Sequence, residues 1–147
     1  MDMGTALIIN PGSSSKKFAL FKEGSLLVTW RFEQTGKGFS VCIESKGVKS
    51  LCRDISASEF NDSLALVLED AVEEKFIENK TEIESVGIRI VAPATYFTTH
   101  RAVDEEFIDK LNKLKQLAPH HIPSIITEIG RIQDNLPKTK LIGISDS

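Results

Sequence analysis

Between two apolar runs, Ala6 to Ile9 and Phe18 to Phe21, the chain carries Asn10-Pro11-Gly12-Ser13-Ser14-Ser15-Lys16-Lys17. Backbone N–H groups and hydroxyls in a tight turn can surround phosphate oxygens, and Lys17 adds a point charge. Such a segment would make a phosphate cradle. The other reading is a hairpin turn rich in Ser and Gly for conformational reasons alone. The segment is not a Walker A loop: the second glycine of GxxxxGK[ST] is absent, and an extended strand follows instead of a helix.

Three further positions offer chemistry. Arg89, at the end of an apolar run, has the planar fork that binds carboxylate or phosphate bidentately, or it pairs with a surface glutamate. Asp146 follows the apolar run Leu141 to Ile144, and a carboxylate just past a strand's C-terminal end is where α/β folds place ligands; the alternative is a solvated aspartate. His120 and His121 are adjacent, which lacks the i, i+4 spacing and third ligand of a metal site. His100 has no special context and is expected to be exposed.

The elements that must hold these groups follow from periodicity. Ala6–Ile9, Lys17–Phe21, Leu26–Phe32, Phe39–Glu44 and Val48–Arg53 are short runs rich in β-formers, separated by Gly and Ser turns, and predict an antiparallel meander. The period then changes. Phe60, Leu64, Val67, Leu68, Ala71, Val72 and Phe76 recur at helical spacing, and Ser56 with Glu59 forms a capping box at the start. Val86–Val91 predicts a buried strand broken by Pro93, followed by a helix with Phe107, Ile108, Leu111 and Leu114 on one face, ended by Pro119. Pro123 suits the first turn of another helix with Ile125, Ile126, Ile129 and Ile132 inside, stopped by Asn135 and Pro137 before a last strand, Leu141–Ile144. Together these predict an α/β domain with a mixed sheet. The sequence stops at Ser147 directly after a strand that would normally lead into a crossover, so the chain is expected to be incomplete.

At 147 residues and 41% hydrophobic content, one domain with a single core is expected. A net charge of −3 without a basic stripe argues against nucleic acid as a partner. No run approaches a membrane span and no leader pattern opens the chain, so no membrane association is expected and a cytoplasmic location is. Cys42 and Cys52 sit in no ligand or framework pattern and read as small buried apolar residues of a reducing compartment.

Ile9-Asn10-Pro11-Gly12-Ser13-Ser14-Ser15-Lys16-Lys17-Phe18 resembles the N-terminal signature of acetate kinases, and fits the serine triplet of the related butyrate kinases less well. Val86-Gly87-Ile88-Arg89-Ile90-Val91 resembles that family's Gly-His-Arg segment. Leu117-Ala118-Pro119-His120-His121-Ile122-Pro123 resembles its Leu-Ala-Pro-x-His-Asn-Pro, and Ile144-Ser145-Asp146-Ser147 its Phe-Asp-Thr.

The resemblance implies a ribonuclease H-like domain of the acetate and sugar kinase, heat-shock and actin superfamily. Residues 1–147 would then form the N-terminal lobe, with the C-terminal lobe absent. It implies transfer of the ATP γ-phosphoryl to acetate or a similar short carboxylate, with Mg²⁺ accompanying ATP, and a homodimer as the intact protein. Residue by residue, it places Asn10 by the magnesium and the transferring phosphate, with Lys17, Ser13 and Ser15 on the ATP phosphates. Arg89 and His121 would stand on the substrate, Val91 in the apolar wall that limits acid length, and Asp146 would be catalytic. Departures from the pattern lie at Ile88, Ala92-Pro93-Ala94, His120 and Ile122, where lost glycines and a lost N–H alter what can approach phosphate. They motivate a second expectation: a family member that binds nucleotide or a partner without turnover.

Overall fold

A computed structural model describes residues 4–90, 100–119 and 122–145. Val91, Ala92, Pro93, Ala94, His120, His121 and Asp146 lie outside them. The five predicted β-runs form β1 (Thr5–Asn10), β2 (Ser15–Lys22), β3 (Ser25–Thr35), β4 (Gly38–Ser45) and β5 (Val48–Ile55), each antiparallel to the next. Beyond them come α1 (Ala57–Asn61), α2 (Ser63–Glu73), β6 (Ile83–Ile90), β7 (Arg101–Ala102), α3 (Glu105–Lys113), α4 (Ile122–Asn135) and β8 (Lys140–Ser145). The sheet order is β5-β4-β3-β2-β1-β6-β8-β7, with β6 parallel to β1 and β8 parallel to β6. This is the mixed α/β sheet that the periodicity predicts. The two-residue β7 is too short to leave a periodic signal.

All four helices of the described residues pack on one face. Strand alternation sends Leu7, Ile9, Phe18, Leu20, Trp30 and Ile88 to that face, where all are fully buried. α2 meets it through Asp70, which accepts a hydrogen bond from Trp30 Nε1 at 2.8 Å. α3 meets it through Phe107, starting at Asp104, whose carboxylate caps the helix by accepting from Phe107 N at 2.8 Å. A Cβ at Gly143 would stand 2.5 Å from Phe107 Cζ and 2.7 Å from Cε2, so glycine sets how closely α3 approaches β8. Gly143→Ala is expected to push the ring off its place and lower the unfolding midpoint by about 3–9 °C, for an overpacking cost of about 1–3 kcal/mol, measured by thermal denaturation.

Three expectations need correction. The helix predicted to run from Phe60 to Phe76 is two helices, interrupted at Asp62, which has φ −108° and ψ 47°. The capping box at Ser56 and Glu59 is present, and Phe60, Leu64, Val67, Leu68 and Ala71 are buried as their spacing requires. The interruption coincides with Lys16, whose ammonium takes the Phe60 and Asn61 carbonyls that a continuous helix would use internally. The helix stops short of Phe76 because Lys75 adopts φ 62° just after the Glu74 cap, a left-handed helix ending. Likewise α3 ends at Lys113, before Pro119, as its last turn tightens with Leu114 N donating to Leu111 O.

The third correction concerns the cysteines. Cys42 and Cys52 face each other across β4 and β5 and are joined as a disulfide. They are not buried either: Cys42 is half-buried and Cys52 exposed. The ten-residue separation hid a pairing that antiparallel register creates.

Candidate phosphate-binding site

The hairpin between β1 and β2 is closed by Gly12, where any Cβ would run into the Ser15 carbonyl. Only glycine lets the turn close this tightly. The base of the turn is tied to β3 by Gln34 N, which donates to Ser14 O at 2.8 Å. Among the described residues, the N–H groups of Gly12, Ser13 and Ser14 and the hydroxyls of Ser13 and Ser15 have no hydrogen-bond partner. Ser13, Ser14 and Ser15 are all exposed, so donors point outward from one tight turn.

Register decides which side chains accompany that turn. Asn10 pairs with Lys17 across β1 and β2, and Ile9 is level with Ile88 of β6. Because Ile9, Phe18 and Ile88 face the helices, Asn10, Lys17 and Arg89 turn together to the opposite face. All three are exposed there, on adjacent strands, with Lys17 and Arg89 two strand spacings apart, about 10 Å. Ser15 shares their face. Thus five of the eight residues named from sequence are described, and Asn10, Lys17, Arg89, Ser13 and Ser15 cluster at one end of the interior strands β2, β1 and β6. Val91, His121 and Asp146 lie outside the described residues.

Ile88, which stands where the resembling family has histidine, is fully buried on the helix side. Its replacement therefore removes nothing from the face that carries Arg89.

Sequence reasoning missed three groups. Arg31 is the cross-strand partner of Lys17 on the same open face, with its Nε 3.3 Å from Glu33 Oε1. The meander's register is the only signal that could have found it. Lys16 and Glu128 were hidden in a polar run and on an exposed-looking helix turn, yet both are buried. Lys16 Nζ stands 3.7 Å from Glu128 Oε2, and burial pulls the lysine's pKa down while it pushes that of Glu128 up. His100 is exposed as expected, but it is not idle: its Nδ1 accepts a hydrogen bond from Ser145 N at 2.9 Å.

Among the described residues, no three His, Cys, Asp or Glu side chains gather to hold a metal. What they offer a magnesium–nucleotide is the exposed Asn10 amide oxygen. That donor fits Mg²⁺, which binds through few protein ligands and keeps water and phosphate oxygens as the rest.

A mixed sheet in which an antiparallel meander leads into parallel strands, with a donor-rich hairpin joining two of its interior strands, has the actin-like fold. Comparison narrows the class. Residues 5–147 match the acetokinase family, and the chain belongs to that family. It is 29% identical over 151 residues to an acetate kinase of Oceanobacillus iheyensis, covering 99% of this chain and 37% of the relative. An acetate kinase of Streptococcus gordonii is likewise 29% identical over 147 residues. The fold superposes on a propionate kinase from Francisella tularensis with a TM-score of 0.83 and 26% identity, covering 98% of this chain and 37% of that one. For an acetate kinase of Porphyromonas gingivalis the TM-score is 0.86 at 25% identity. The chain thus spans a little over a third of the length of the relatives it matches.

Proposed function

We propose that this chain is the N-terminal lobe of an acetate kinase-like phosphotransferase that moves the γ-phosphoryl of ATP reversibly to acetate or a similar short carboxylate. The observation that carries this reading is the convergence of Asn10, Lys17 and Arg89 on one face of three adjacent strands, beside a turn with unpaired N–H and hydroxyl donors. Family membership supplies the reaction class.

In this reading the turn and Lys17 hold the ATP phosphates, with Ser13 and Ser15 as further donors. Arg89 grips the carboxylate or acyl-phosphate oxygens with its fork. His121 donates to a phosphoryl oxygen, Val91 limits the room for the acid's alkyl group, and Asp146 orients the reacting groups. Asn10 would hold Mg²⁺, which when bound offsets phosphate charge. Rate then comes from placement and charge cancellation, with no covalent enzyme intermediate. Acetate and ATP are the substrates. We place the enzyme in the cytoplasm as a homodimer.

The test is acetyl phosphate formation by the full product of the reading frame that carries this chain. It is expected to turn over at about 1 s⁻¹ or faster, whereas residues 1–147 alone are expected to fall far below that rate because the rest of the ATP cleft is missing. Nucleotide binding without turnover by the full product would favour the non-catalytic alternative. Ile88 weighs against that alternative, since it sits in the core and not at the site.

A further inference from the structure

Lys16 and Lys17 are neighbours with opposite fates. Alternation along β2 displays Lys17 on the open face and sends Lys16 to the helix side, where only 11% of its side chain stays accessible. Nothing in the phosphate chemistry above uses Lys16.

Its ammonium gathers three helices. Nζ donates to Phe60 O at 3.1 Å and Asn61 O at 3.4 Å, the last carbonyls of α1, and to Ser63 Oγ at 3.3 Å, the first residue of α2. From α4 comes the Glu128 carboxylate, 98% buried. The Phe60 ring lies 5.1 Å beneath the same nitrogen. Arg131, one turn beyond Glu128, reaches Asp62 at the α1–α2 junction at 3.0 Å. Gly12 and Ser13 of the hairpin line the same small polar cleft, about 280 Å³, as Lys16, Asn61, Glu128 and Arg131.

A cluster built only for stability would look different. Apolar residues of similar volume generally stabilise a buried position as well as an ion pair or better, and here Glu128 Oε1 and Arg131 Nε have no hydrogen-bond partner among the described residues. What the ammonium supplies instead is direction: its contacts run to the α1–α2 junction and to α4 from the first turn of β2, one residue from Ser15 and one from Lys17. We propose that Lys16, through Glu128, is a positioning residue for the phosphate-binding hairpin, fixing it relative to α4 and the α1–α2 junction. This rests on the proposed kinase function. Lys16 touches no reacting atom.

The test is the neutral, near-isosteric pair Lys16→Met/Glu128→Gln in the full-length product. It is expected to keep its unfolding midpoint within about 3 °C of wild type, because no unpaired charge remains. Its kcat for acetyl phosphate formation should fall about tenfold or more while the KM for ATP stays within about twofold, since a small misplacement far from the chemistry costs rate first. Glu128→Gln alone, which keeps every lysine contact to α1 and α2, should show the same split at a smaller size. Should the double variant unfold, this single variant decides the question. Unchanged kcat in a folded variant, or equal changes in kcat and KM, overturns the positioning role while leaving the kinase reading intact. A wild-type product that makes no acetyl phosphate overturns the kinase reading, and this inference falls with it.

Discussion

Replacing Lys16 by Met alone is expected to lower the unfolding midpoint of residues 1–147 by about 10 °C at pH 7.5 and by far less near pH 5. The single change removes the ammonium and leaves the Glu128 carboxylate buried, 2% accessible, with its direct ion-pair partner gone and Arg131 as the positive charge that still acts on it. Breaking a buried pair from one side costs about 3–5 kcal/mol, and a domain of this size loses about 3 °C per kcal/mol. The pH dependence follows from the direction of the carboxylate's shift. Burial already raises the Glu128 pKa above its ordinary 4.5 with Lys16 present, and losing the lysine's attraction raises it further. The folded state then binds the proton more tightly than the unfolded state, so stability falls as pH rises from about 4.5 through the folded pKa. Below that window both states are protonated and the penalty disappears. Thermal denaturation of wild type and Lys16→Met between pH 5 and 8 checks this. A midpoint difference that stays constant with pH would mean that Glu128 does not feel Lys16.

The second large effect is expected at Arg89. In the full-length product, Arg89→Lys keeps the charge but loses the planar fork, and kcat/KM for acetate should fall about 100-fold, near 2.7 kcal/mol. That exceeds the 1 kcal/mol or so that a surface ion pair could supply. Folding should be untouched, because Arg89 is exposed on the open face while its neighbours Ile88 and Ile90 carry the packing. Asp146→Asn should lower kcat more than it weakens ATP binding. Combined with Arg89→Lys it should be non-additive, since both groups serve one transition state. Steady-state kinetics on the two single variants and the double variant decide this. Near-wild-type kcat/KM in both single variants would withdraw the catalytic assignment.

The meander and the helices were legible because apolar spacing reports directly on burial. Phe60, Leu64 and Val67 are in the core, and Phe18 and Leu20, two residues apart on one strand, are buried on the same face, as their periods require. The break at Asp62 was not legible, because its cause is a side chain from a strand, 44 residues before the Phe60 carbonyl that it takes. Lys16 itself was hidden by its residue type: a lysine beside a lysine reads as a solvated run, and its burial depends on Glu128, more than a hundred residues away. The disulfide escaped for a related reason, since ten residues of spacing say nothing until β4 and β5 are paired in register. Asn10, Lys17 and Arg89 could be named from their motifs. That they share one face required the register of β2, β1 and β6.

The strand order also carries a consequence for how the site comes into being as the chain folds. Each of β1 to β4 pairs with the strand that follows it in sequence, so residues 5–55 can close by short loops and form early, bringing Asn10 beside Lys17. Arg89 joins them only when β6 docks on β1, pairing Thr5 with Ile83 across more than half of the chain. Closing so long a loop is entropically costly and slow. Half of the proposed anion-binding cluster is therefore assembled by local contacts, and the other half waits for a long-range event. Arrival of the arginine marks completion of the sheet.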